Sequence, residues 1–187
     1  MRFSLPLRMS VIKRGEKEQK LAAFVGSHFA RGLDSHLAGA REILVIARSI
    51  DSPVAKALAT QAGQIAASGR PVRIILARAD RGSLPAGWSL GEGGQIECDI
   101  RWASNPRLLE AHEQLVLATD TCWIGDSMRR DPAKCDAYET FVEDNAEIAT
   151  SARVSFERLW AVSQRLLPSV LVPPQPTEPA SQSLRGR

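Results

Sequence analysis

Short apolar runs alternate with amphipathic stretches along this chain, and their periods lay out its elements. From about Glu16, apolar residues Leu21, Phe24, Val25, Phe29 and Leu33 recur at three and four, with His28 and Gly32 on the same stripe. This is the period of a helix with one buried face, running to about Leu37, and Gly39 is its stop. Residues 42–47, Glu-Ile-Leu-Val-Ile-Ala, form a continuous β-branched run that fits a strand buried on both faces. Ser52-Pro53 then supplies a cap residue and a proline at the first helical position. Val54, Ala57, Leu58, Ala62, Ile65 and Ala66 make the inner stripe of the helix that follows, which ends at Ser68-Gly69. Residues 72–77 are the next buried run. Strand, helix and strand with short joints predict a right-handed crossover and a parallel pair.

Residues 79–95 carry four glycines between Gly87 and Gly94. A phosphate-cradling loop needs a strand before it and a helix after it, and no helix opens here, so the stretch reads as a flexible loop. A third strand is predicted over 96–102, with a turn at Asn105-Pro106. Residues 112–128 then read as two hydrophobic strands around a polar turn at Thr119-Asp120-Thr121. A polar segment to Ala137 and a short strand over 138–142 follow. Asp144 and Glu147 stand at the spacing of a capping box, with Asp144 as the cap. Ile148, Ala152, Phe156, Leu159, Trp160 and Leu166 mark a long helix closed by Pro168. There is no internal repeat, so the chain is predicted to be one α/β domain over 15–167.

Charge changes this picture little. The pI is near 9.0, but six of the 24 basic residues and one of the 21 acids lie in residues 1–14 and 168–187. That leaves 18 bases and 20 acids in between, so the basic excess sits in the ends. Residues 1–14 are expected to form an extended basic arm, and the proline-rich stretch 168–187 a disordered tail. A folded nucleic-acid surface would place its charge on the domain. No apolar run approaches the ~18 residues that span a membrane, and the first eight residues do not form a signal peptide, so the cytoplasm is expected. Cys98, Cys122 and Cys135 include no C-x-x-C pair and read as buried or half-buried thiols. His28 and His36, eight apart, are too far for a two-ligand i, i+4 metal grip.

The order of these elements, with a histidine heading the 112–128 stretch and Phe156-Glu-Arg-Leu-Trp160 in the last helix, resembles the phospholipase D-like superfamily. Its motif is H-x-K-x(4)-D, followed by a strand, a G-S-x-N turn and a later glutamate. The resemblance implies a mixed sheet flanked by helices. It also implies a homodimer, since the small bacterial members carry one motif copy and pair two chains into one site. In that chemistry one histidine attacks the phosphodiester phosphorus, a second protonates the leaving oxygen, and lysine and asparagine hold the phosphoryl oxygens; no metal or cofactor is required.

Residue by residue, His112 stands at the nucleophile position, but Gln114 stands at the lysine, Thr119 at the aspartate, Asp126 at the serine and Met128 at the asparagine. Gly125 matches the turn glycine, and Glu139 or Glu143 the later glutamate. Each departure weakens phosphate chemistry, since a missing oxyanion donor typically costs ~10²–10³ in rate. Arg129 and Arg130 are candidate replacement cations, or a solvated pair with Asp126 and Asp131 as local partners. The candidate site is therefore His112 as nucleophile, with Gln114, Gly125, Ser127, Arg129 and Arg130 as ligand contacts. The expected function is a catalytically degenerate binding or regulatory module for a phosphate-bearing ligand, a nucleic acid or a protein. The alternative is a metal-independent phosphodiesterase or nuclease; a third class is an interaction scaffold using the proline-rich tail.

Overall fold

A computed structural model describes residues 9–31, 42–78, 96, 98–103, 111–131 and 135–166. Strands β1 (Met9–Ile12), β2 (Ile43–Ala47), β3 (Val72–Leu76), β4 (Cys98–Trp102), β5 (His112–Val116), β6 (Cys122–Ser127), β7 (Ala137–Val142) and β8 (Gln164–Arg165) form one mixed sheet. Their order is β1-β7-β6-β5-β2-β3-β4-β8. Among the described residues four helices flank it: α1 (Lys17–Arg31), α2 (Pro53–Thr60), α3 (Ala62–Ala67) and α4 (Ala146–Val162). This is the α/β mixed sheet expected from the resemblance.

The apolar runs at 43–47 and 72–76 pair in parallel, Ile43 with Val72 through Ala47 with Leu76. All five residues of β2 are buried because the sheet is covered on both sides. Ile43, Val45 and Ala47 join α1, α2 and α3 in one core, while Leu44 and Ile46 join α4 in the other. Side-chain alternation along a strand fixes this division. Large fully buried residues, Trp123 and Leu58 on one side and Phe156 on the other, fill the two layers.

Several elements depart from expectation. The predicted helix over 53–68 breaks at Gln61, whose N–H reaches both Ala57 and Leu58 carbonyls. Asn145, not Asp144, caps α4: its side chain accepts from Ile148 N at 3.1 Å. Asp144 instead takes a left-handed φ of 56°, so the chain reverses there and the next residue enters the helix. α4 stops at Val162, and Leu166 is not on its stripe. Residues 164–165 pair with β4, and this places Leu166 in the core of the opposite layer. Residues 9–12 of the basic arm are an edge strand, antiparallel to β7. Cys135 is exposed, since it lies in the β6–β7 connection outside both layers. The glycine-rich loop, His36, residues 1–8 and the proline-rich tail lie outside the described residues.

Candidate functional site

β5 alternates sharply. His112, Gln114 and Val116 face the α4 side, and Glu113, Leu115 and Leu117 face α1 and α2. An irregular register between His112 and Gln114 sets His112 opposite Ser127 but Gln114 opposite Ile124, which inserts an extra residue into β6 around Gly125 and Asp126. Four of the six predicted site residues are therefore divided between two depressions, and Gly125 and Arg129 line neither.

The first is a groove of about 420 Å³ between the head of β5 and α4. His112 and Gln114 line it from the strand. Ser151, Ser155 and Arg158 line it from α4, where offsets of four and seven residues put them on one helical face. His112 is exposed, and its Nδ1 lies 2.7 Å from the Gly125 carbonyl oxygen. That carbonyl can only accept, so Nδ1 carries a proton, and in the neutral ring it is Nε2 that holds the lone pair. Gln114 is half-buried, and among the described residues its buried Oε1 has no hydrogen-bond partner. Arg158 is the one cation lining this groove among the described residues. Sequence reasoning missed it because it lies 46 positions from His112, on a helix read only for its buried stripe.

The second depression, about 320 Å³, lies beyond the α1 side of the sheet. Ser127 and Arg130 line it, together with Lys17, Arg48, Arg78, Glu113 and Asp126. Arg130 donates to Asp126 at 3.1 Å, the local pairing that the sequence offered as one alternative. Arg129 is exposed and lines neither depression; its N–H is 3.4 Å from Ser127 Oγ. Gly125 is buried for a packing reason. A Cβ there would come within 2.5 Å of the Trp123 ring and 3.4 Å of the Glu113 Cβ.

Beneath the second depression lies a charge cluster that the sequence did not announce. Lys17 Nζ donates to Glu113 Oε2 at 2.9 Å and lies 2.9 Å from Glu139 Oε1. Glu139 Oε2 accepts from Trp123 Nε1 at 2.9 Å, and Glu113 Oε1 accepts from Arg48 N at 3.1 Å. Burial opposes the Lys17 charge, but the pull of Glu113 and Glu139 outweighs it and raises its pKa above 10.5. Burial, with help from Glu113, raises the Glu139 pKa despite Lys17 and Trp123, because one ammonium is shared by two carboxylates. Glu139 thus faces away from His112, and exposed Glu143 is engaged with Arg31. Neither glutamate stands beside the histidine. Burial also pushes the Cys98 and Cys122 thiols up to about 12 and about 11, so neither is a thiolate nucleophile at neutral pH.

Among the described residues, no group of three or more His, Cys, Asp and Glu side chains is arranged to hold a metal ion. No helix there is long and apolar enough to cross a membrane.

No family model and no curated protein matches the chain by sequence. Solved structures do match it. Nuc from Salmonella typhimurium, a phospholipase D family member, superposes with a TM-score of 0.52 at 12% identity, over 84% of this chain and 97% of that one. The fold is phospholipase D-like. NucT from Helicobacter pylori matches in the same way, with a TM-score of 0.51 at 9% identity over 85% and 99% of the two chains. At such identities the phospholipase D-like likeness establishes architecture, and the chemistry has to be argued from the groove itself.

Proposed function

We propose that this chain is a phosphodiester-binding module built on a phospholipase D-like frame, binding through the His112 groove without turnover and working as a homodimer. One observation carries the reading: Gln114, a neutral amide, stands beside His112 where the family has its lysine, and Arg129 and Arg130 do not line the groove. A glutamine offers an amide donor but no charge to an oxyanion. Arg158 supplies one guanidinium, which binds phosphate well in a fork. One cation with two serine hydroxyls and an imidazole suits a singly charged phosphodiester. The pentacoordinate transition state gathers more negative charge and needs more donors.

The test pairs binding with turnover. A fluorescent single-stranded oligonucleotide should bind the purified protein in a salt-sensitive way, and Arg158→Ala should weaken it about tenfold or more, the loss of one charge-assisted contact. Bis-(p-nitrophenyl) phosphate in EDTA should remain intact. Binding that ignores both salt and Arg158→Ala removes this reading.

One observation favours the metal-independent phosphodiesterase as a second reading. The Nδ1 bond to the Gly125 carbonyl leaves the Nε2 lone pair unblocked by that contact, the tautomer a nucleophile needs. Attack on phosphorus by Nε2 would form the P–N bond as the P–O bond breaks, and the leaving alkoxide would take its proton from the His112 of a second copy held as imidazolium. EDTA-resistant hydrolysis abolished by His112→Ala would establish it.

A further inference from the structure

The second depression has a charge layout independent of the His112 groove. Its walls come from the same end of five neighbouring strands, in the order β7, β6, β5, β2, β3. Asp136 precedes β7, Asp126 sits near the end of β6, and Glu113 is near the head of β5. Arg48 follows β2 directly, and Arg78 lies two residues past β3. Parallel pairing continues past those strands, with Ala77 N on Ala47 O at 2.9 Å and Arg78 N on Arg48 O at 2.7 Å. By strand order, Asp136, Asp126 and Glu113 belong to β7, β6 and β5, and Arg48 and Arg78 to the ends of β2 and β3; the Arg48 guanidinium extends from there toward the Arg130 carbonyl.

Internal pairs sharpen that division. The two cations on the acidic side are already engaged: Lys17 by Glu113 and Glu139, and Arg130 by Asp126. Among the described residues neither the Arg48 nor the Arg78 guanidinium has a carboxylate partner; that of Arg48 makes one long contact, 3.5 Å to the Arg130 carbonyl, while its backbone N–H donates to Glu113 Oε1. Asp51, exposed at the rim, offsets part of the guanidinium charge. The acidic side keeps an excess, since one ammonium serves two buried carboxylates. The location is also where open α/β sheets take ligands: outside the carboxyl ends of parallel strands, beside the point where the connections change direction at β2. Glu113 and Arg78 lie two strand spacings apart, roughly 10 Å. A cavity of about 320 Å³ is at the small end of ligand sites.

We propose that this cavity binds a small zwitterion of amino-acid type, its carboxylate on Arg48 and Arg78 and its ammonium toward Glu113 and Asp136. A simple anion would meet the acidic side, and a simple cation the two guanidinium groups, so neither half alone satisfies the site. The claim stands apart from the phosphodiester groove, which oligonucleotide binding reads separately.

The experiment is a thermal-shift screen of the full chain with the common L-amino acids, followed by calorimetry on any that respond. Acetate and methylammonium serve as single-charge controls. The expected result is that at least one amino acid raises the unfolding midpoint by several degrees at saturation, with neither control matching it. The Arg48→Ala/Arg78→Ala double variant should lose that shift. If the double variant folds poorly, Arg78→Glu at an exposed position reads the same contact and should also lose it. No shift with any amino acid, a shift that survives both variants, or an equal shift with acetate alone would overturn the proposal.

Discussion

Replacing Lys17 by methionine keeps the length and apolar stem of the side chain but removes the ammonium between Glu113 and Glu139. All three side chains are removed from water: 7% of the lysine, 6% of Glu113 and none of Glu139 is exposed. Breaking a buried ion pair by deleting one partner typically costs 3–5 kcal/mol, because the remaining charge stays buried. Here two carboxylates would face each other. Glu139 can relieve part of the cost by taking a proton, and burial already raises its pKa. We therefore expect a loss of about 3–5 kcal/mol at neutral pH, against a total stability of ~5–15 kcal/mol for a native protein. The loss should shrink as pH falls. The folded state holds the Glu139 proton more tightly than the unfolded one. Its penalty is therefore absent below the ordinary carboxylate value of 4.5, grows as pH rises through the raised value, and stays level above it. Urea unfolding followed by circular dichroism reads the effect, and Lys17→Met/Glu139→Gln should recover part of it as a coupling energy. A loss under about 1 kcal/mol, flat with pH, would refute a buried, shared ammonium.

Further outcomes follow from other contacts. Gly125→Ala should cost about 1–3 kcal/mol in urea unfolding, since the added methyl meets the Trp123 ring at 2.5 Å; an unchanged midpoint would show the ring moves freely. Burial, then Arg70 and Arg31, lowers the His28 pKa below 6.5, so the unfolded state takes the proton first. Stability should fall as pH drops from 6.5 to the folded value, and His28→Gln should flatten that limb of the urea-midpoint profile. Gln114→Lys places an ammonium beside His112 and should tighten oligonucleotide binding about tenfold by anisotropy, with a steeper salt dependence. No change would mean the ligand does not reach Gln114.

The sheet was largely readable from the chain because its signals are local. The runs at 43–47 and 72–76 are apolar throughout, as strands covered on both faces must be, and short joints around a helix force them parallel. The α4 stripe also read correctly as far as Trp160. Its end did not, because Leu166 is as apolar as a helical residue and only the pairing of residues 164–165 with β4 shows where it packs. Asp144 and Asn145 are both good caps, and the left-handed turn at Asp144 decides between them. The candidate site was readable at His112 and Gln114, where alternation along β5 carries both to one groove. It was not readable beyond the bulge near Gly125, which sends Ser127 and Arg130 to the cavity on the other side. Nor could spacing reveal Arg158, or the meeting of Lys17 with Glu113 and Glu139, because long-range packing creates both.

The central question is whether the His112 groove holds a phosphodiester and leaves it intact. A single-stranded oligonucleotide labelled at its end, incubated with the purified protein in EDTA, reads both events when anisotropy and strand length are followed together. The expected result is a saturable, salt-sensitive rise in anisotropy, weakened by Arg158→Ala, with the strand still full length. Strand cleavage that disappears in His112→Ala, or no rise in anisotropy at low salt, would contradict it.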